Sequence, residues 1–218
     1  MFGGNEIKMA TFVSDTFTDT TGVLLQNHVP EIGGAWVKRG GRNIDADIQS
    51  NALGATTLKN TLLIYTNSAT PTNVNYDISI NAIIPVGDEG NRGNGLIGRY
   101  LDNNNYYYGW YEEQFNNFEI KKVLNGDTTV LDSTSEDIDD GTFEFKFEVK
   151  NATKKFYLDS VEKATTTDND LTAAGLVGII SKRVDTGQTR DSFLALDTAA
   201  PVATNSIMQA ISVWWNRT

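Results

Sequence analysis

The sequence predicts an all-β fold, a sandwich of two packed antiparallel sheets, and three observations support this. Apolar and polar residues alternate with period two along most of the chain. Short β-prone runs are separated by turn-forming clusters at the spacing of sandwiches. Long amphipathic helical periodicity is absent, and no repeat of fixed length suggests a solenoid or propeller.

Residues 1–12 read as a short N-terminal arm, 13–197 as the domain, and 198–218 as a linker and apolar tail. Candidate strands lie at 35–37, 44–49, 61–65, 74–84, 96–101, 106–112, 142–150, 155–158, 176–181 and 191–196. In 74–84, Val74, Tyr76, Ile78, Ile80, Ala82 and Ile84 form one row and Asp77, Ser79 and Asn81 the other, until Pro85 ends the strand. In 118–133, FEIKKVLNGDTTVLDS, Asn125-Gly126 sits between two β-prone runs and suits the positive φ angles of a type I′ hairpin. In 142–150, TFEFKFEVK, Phe143, Phe145, Phe147 and Val149 share one face and Glu144, Lys146, Glu148 and Lys150 the other.

Residues 99–114, RYLDNNNYYYGWYEEQ, combine a turn with an aromatic strand. Asp102 and Asn103 to Asn105 have the chemistry of a tight turn. The strand that follows puts Tyr106, Tyr108 and Trp110 on one face, and Tyr107 and Tyr111, flanking Gly109, on the other. Core packing is the preferred reading for most of these rings. The functional alternative is a partly exposed strip stacking on sugar rings, with Arg99 as polar companion and Tyr106, Tyr108 and Trp110 as platform. The bland role for Arg99 is a salt bridge to Glu112 or Glu113.

Composition narrows the partners. The 218 residues suit one large all-β domain and include no cysteine, so disulfides and thiolate zinc sites are excluded. A formal net charge of -10, with basic residues no denser than the Lys38-Arg39 and Lys121-Lys122 pairs, opposes binding to nucleic acid. No window has the apolar length to span a bilayer, and the start, MFGGNEIKMATFVSD, lacks the features of a signal peptide. The expectation is a chain made in the cytoplasm, without a membrane partner.

Several stretches, in order, resemble the concanavalin A-like lectin/glucanase superfamily, in particular the LamG-like jelly rolls of bacterial and bacteriophage surface proteins. They are DTFTDTTGVLLQNHVPEIGGAW, GLIGRYLDNNNYYYGWY, LNGDTTVLDS, FYLDSVEKATTTD, GLVGII and RDSFLAL, and the match spans roughly residues 14–196. Leu158-Asp159-Ser160 stands where such domains usually carry a glycine turn. The resemblance implies a jelly roll whose first strand, near Asp15-Thr16-Phe17, lies beside its last, near Ser192-Phe193-Leu194. It also implies carbohydrate as the usual ligand, although fold does not fix function.

The family's glucanase constellation, Glu-x-Asp-x-x-Glu along one strand, is not found. Asp45 and Asp47 lack a third carboxylate, and Glu136 to Asp140 read as a solvated turn. His28, the only histidine, reads as satisfying its own loop, and Trp36 as a core anchor. No cofactor is expected; the oxygen-only loop DTFTDTTG has donors for calcium, but its spacing is not that of an EF-hand.

The functional expectation is a non-catalytic module of a phage virion (capsid decoration, head fibre or tail) with glycans as the ligand class. A glycoside hydrolase or lyase with an unrecognised site and a free lectin are the alternatives. In the tail, SIMQAISVWWNRT, Ile207, Ile211, Val213, Trp214 and Trp215 follow a linker containing Pro201. They are expected to anchor the module to a virion neighbour or to a copy of itself.

Overall fold

The computed structural model describes residues 9–41, 45–54, 62–84, 92–182 and 188–198. Its strands are β1 (Ala10–Asp15), β2 (Trp36–Gly40), β3 (Asp47–Ile48), β4 (Leu53–Gly54), β5 (Leu62–Asn67), β6 (Tyr76–Ile84), β7 (Gly93–Asp102) and β8 (Asn105–Glu112). They continue with β9 (Asn117–Leu124), β10 (Asp127–Ser135), β11 (Gly141–Lys150), β12 (Thr153–Leu158), β13 (Val161–Thr167), β14 (Leu176–Lys182) and β15 (Arg190–Asp197). One sheet runs β13-β12-β11-β6-β15-β4-β3, with β1 also on β15; the other runs β10-β9-β8-β7-β14-β5-β2. The fold is all-β, two antiparallel sheets packed as a sandwich.

Alternation decides which side of each strand is buried. In β11 the inward Phe145, Phe147 and Val149 are inaccessible, while Glu144, Lys146 and Glu148 point outward. β6 repeats the pattern, pairing with β11 from Gly141↔Ile84 to Val149↔Tyr76. Between the sheets, Tyr111 packs on Phe118 at 4.6 Å, and Phe156 lies 5.9 Å from Phe145 and 6.2 Å from Phe118. Gly109 makes this approach feasible, because a Cβ there would lie 2.3 Å from Phe156 Cδ2.

The turns follow local chemistry. Asn125 and Gly126 have φ of 54° and 89°, the left-handed pair that a type I′ hairpin requires. The β12–β13 turn uses the same device without glycine, with Asp159 at φ 46° and Ser160 at 67°. The Asp159 carboxylate offsets the strain by accepting the Glu144 amide at 2.8 Å, while the Asp159 amide donates to the Glu144 carbonyl at 2.9 Å. At the β7–β8 turn, Asp102 accepts from the Asn104 amide at 2.7 Å and from Asn105 Nδ2.

The first and last strands lie side by side, with Asp15 opposite Phe193. β1 begins at Ala10, so the end of the expected arm is part of the sheet. β4 and β13 were not anticipated as strands, and of the described part of the strand expected at 44–49 only Asp47–Ile48 is strand. β13 is hard to read because its sequence, VEKATTT, buries only Ala164 and forms a sheet edge.

Gly109→Ala is expected to destabilise the protein by about 1–3 kcal/mol through overpacking against Phe156. A lower urea midpoint at unchanged denaturant slope would show it.

Candidate functional site

The aromatic strand is core on both faces. Tyr107 and Tyr111 belong to the cluster between the sheets, whereas Tyr106, Tyr108 and Trp110 join Ile97, Tyr100, Val123 and Ile180 in a second cluster on the outer side of β7, β8 and β14. Neighbouring rings in the row Tyr100, Tyr106, Tyr108 and Trp110 are 5.6 to 6.2 Å apart. Trp110 lies over β7, where a Cβ at Gly93 would come within 2.0 Å of its ring. Burial pushes the Tyr106 hydroxyl up to about 12, far from any role at neutral pH. With Tyr106, Tyr108 and Trp110 only 5%, 9% and 3% exposed, the sugar-stacking platform is corrected to core packing.

Arg99 is not beside those rings. Its φ of 50° coincides with irregular pairing of β7 to both neighbours, and the break turns its side chain inward. There the guanidinium donates to the carbonyls of Leu171, Val74 (3.3 Å) and Asn151 (2.7 Å), while its amide donates to the Tyr76 hydroxyl at 2.6 Å. Neither Glu112 nor Glu113 is its partner: Glu112 bonds Lys182 at 2.8 Å and Glu113 pairs with Arg92 at 2.8 Å. Close by, Lys154 Nζ donates to the carbonyls of Asn151 (3.2 Å), Ala152 (3.0 Å) and Asp168, 4.4 Å from the Tyr107 ring centre. Burial, reinforced by Arg99, pushes the Lys154 pKa down to about 8. These cations tie the end of the sandwich together.

His28 and Trp36 meet at Asp15. The buried Asp15 carboxylate bonds His28 Nε2 at 2.9 Å, Trp36 Nε1 at 2.5 Å and the Phe17 amide at 2.7 Å, and Asp19 holds His28 Nδ1 at 3.1 Å. Trp36 packs edge-on to Phe193 at 5.1 Å, the core anchor expected of it. The partners of His28 are carboxylates rather than the backbone groups expected. The same bonds commit Asp15 and Asp19, the carboxylates of the calcium-like loop, to protein donors. Among the described residues no group of three or more histidine, cysteine or carboxylate side chains is placed to hold a metal ion.

Two depressions lie along the outer face of the β6 sheet and together form a groove-like surface. One depression, of about 280 Å³, is lined by Asp77, Ser79, Lys146, Ser160, Leu194 and Leu196 among others. An adjoining one, of about 360 Å³, is lined by Gln49, Asn51, Asn81, Ile83, Thr142 and Asp191 among others. Strand pairing puts these side chains in rows, with Ser79 between Leu194 and Lys146, and Asn81 between Asp191 and Glu144. β15 shifts register between Asp191 and Leu194, where Ser192 takes a φ of 56°. On the far side of β15, β4 pairs at Arg190 and the ladder to β1 runs from Phe193 to Asp197. Sequence reading found Asp77, Ser79 and Asn81 as a polar row but had no signal separating a groove from a solvated face.

Two carboxylates of this face, Glu148 and Asp77, are tied to lysines, whereas Glu144 and Asp191, which flank Asn81, have no ion pair among the described residues. Glu148 bonds Lys146 at 2.6 Å and Lys150 at 3.0 Å, and Asp77 pairs with the same lysines at 3.6 and 3.2 Å. Burial would raise the Glu148 pKa, but the lysine hydrogen bonds outweigh it and hold the carboxyl below its usual range. Of the acids weighed in the sequence as catalytic candidates, Asp45 pairs with Lys38 at 2.9 Å and Glu136 with Lys163 at 2.6 Å. Burial raises the Asp47 pKa, against a hydrogen bond from Gln49 at 2.7 Å.

Trp110→Ala is expected to cost about 3–5 kcal/mol of stability, as removing a buried aromatic does, rather than to remove a ligand contact selectively. Chemical denaturation would measure it. His28 gives a pH signature: burial opposes its charge, the bonds to Asp19 and Asp15 prevail, and the pKa is raised. Its stabilisation is complete below about 6.5, the unfolded value, and is lost as pH rises through the folded pKa. The urea midpoint should fall across that window in the parent and stay flatter in His28→Asn.

No protein-family model and no curated protein matches the chain. Solved structures do. The CBM66 carbohydrate binding module from Bacillus subtilis aligns with a TM-score of 0.54 and 17% identity, covering 73% of this chain and 92% of that one. The exoplasmic/lumenal domain of VIP36, in a Ca2+/Man-bound form, gives 0.59 and 11%, covering 90% and 94%. A Bacillus licheniformis beta-glucanase gives 0.53 and 11%, covering 84% and 100%. At such identities the likeness shows the fold: this chain is a concanavalin A-like sandwich, an architecture that these three structures share.

Proposed function

We propose that this chain is a non-catalytic module that binds glycan along the outer groove of the β6 sheet. The observation that carries this is the polar, open lining. Ser79, Asn81, Thr142, Gln49 and Asn51 offer hydroxyl and amide groups that both donate and accept, as sugar hydroxyls require, and Ile83, Leu194 and Leu196 offer apolar contact. From Asp77 to Ile83 the groove follows β6 for roughly 20 Å, room for several sugar rings. The carbohydrate binding module and the mannose-form lumenal domain among the similar structures support this ligand class.

The non-catalytic part rests on the carboxylates. A glycosidase needs a general acid with a raised pKa facing a second carboxylate. Glu148 is shifted the other way, Asp77 shares its lysines, and Asp47, whose pKa burial raises, bonds Gln49 and does not line the groove, which together favour a binding role.

Display on a phage virion completes the proposal, supported by the apolar tail in sequence. Ile207, Ile211, Val213, Trp214 and Trp215 lie outside the described residues. Removing the chain after Thr204 should leave the melting temperature nearly unchanged and abolish oligomerisation or particle attachment in sedimentation; loss of the fold would instead put these residues in the domain's own core.

A glycan array followed by titration tests the groove. Asn81→Ala and Ser79→Ala should each weaken binding about tenfold, roughly 1.4 kcal/mol, at unchanged melting temperature. Binding that both variants leave intact, or hydrolysis of the bound glycan, would count against this reading.

A further inference from the structure

Between the sheets, at the start of β15, sits a charge without a counter-charge among the described residues. Arg190 is 2% exposed, and its Nη2 donates to Asn94 Oδ1. Among the described residues its Nε has no hydrogen-bond partner, and no carboxylate pairs with it. Gln188, two residues earlier and fully buried, likewise has neither amide atom bonded among the described residues. Burial alternates from Gln188 through the half-buried Thr189 to Arg190, so both orphaned groups lie on the interior side.

Among the described residues the other buried cations have more partners, although Arg99 Nε too is unbonded. Arg92 pairs with Glu113, Lys122 with Asp168 and Asp170, and Arg99 and Lys154 are each held by three carbonyls. Arg190 has one amide oxygen. Burial lowers its pKa only to about 10, so it is charged at neutral pH. A buried guanidinium without a counter-ion costs several kcal/mol, and an unbonded buried amide adds to that cost.

We propose that Arg190 and Gln188, with Asn94 positioning the guanidinium, form an interior site for a small monovalent anion of halide size. The enclosure excludes a bulky ligand, since the three residues are 0 to 2% exposed. A doubly charged oxyanion would leave an excess negative charge over a single guanidinium. A halide accepts from several N–H donors without directional demand, so Arg190 Nε and Gln188 Nε2 serve it together. Gln188 Oε1 is left to a water. The site is independent of the glycan groove, on the opposite face of the same sheet.

The test compares melting of the full chain in sodium chloride and in sodium gluconate, an anion too large to enter, at equal ionic strength. Chloride should raise the melting temperature saturably, by about 3 °C or more at saturation. Gln188→Leu should lose most of that shift, and crystals grown in bromide should show an anomalous peak in hydrogen-bonding contact with Arg190 Nε. Equal melting in the two salts, a chloride shift unchanged in Gln188→Leu, or only water at Arg190 in the bromide crystal would overturn the proposal.

Discussion

The sandwich closes on one contact, the ring of Phe156 resting on the backbone of β8 at Gly109. Phe156 belongs to one sheet and Gly109 to the other, and Phe118, Phe145 and Phe147 pack around the same ring. Close approach at this point sets which way β8 faces. Tyr107 and Tyr111 must then point inward, and Tyr106, Tyr108 and Trp110 outward, because strand side chains alternate. The outer row is absorbed by the same means, with Trp110 lying over Gly93 and Gly95 of β7. Glycines thus serve both faces of one pair of strands, and rings that resemble a sugar platform are committed to packing.

Much of this was legible in the sequence. The rows of β6 and β11, the Asn125-Gly126 hairpin and the split of the β8 aromatics into two faces follow from period two and local turn chemistry. The glycan role for Arg99 failed for a specific reason. On an unbroken strand Arg99 would share the face of Ile97, which pairs with Tyr108, and would stand beside the outer aromatics. The bulge reverses it, and a bulge leaves no mark in alternation. The groove was illegible for a related reason: its lining is assembled from β6, β11, β15 and the 49–52 turn, segments distant in sequence, across a register shift in β15.

Charge is distributed with the same logic. The chain carries a formal net charge of -10, yet its sealed interior holds arginines and a lysine. Backbone carbonyls hold Arg99 and Lys154, and Asp77 and Glu148 on the outer face neutralise Lys146 and Lys150. Where acids are held by bases in this way they are poor proton donors, whereas the hydroxyls and amides of Ser79, Asn81 and Thr142 line the groove as neutral donors and acceptors. That division, with Asp77 and Glu148 held by lysines beside neutral polar groups, is the ground on which a binding role is proposed for this face.

The central claim is that ligand recognition lies on the outer face of the β6 sheet and not on the aromatic strand. Mapping backbone amide shifts by NMR during titration with an oligosaccharide selected from an array tests it most directly. Perturbations are expected to concentrate at Ser79, Asn81, Thr142 and Asp191, with Tyr106 to Trp110 unmoved. Perturbations centred on Tyr106, Tyr108 and Trp110, with the β6 face silent, would contradict it.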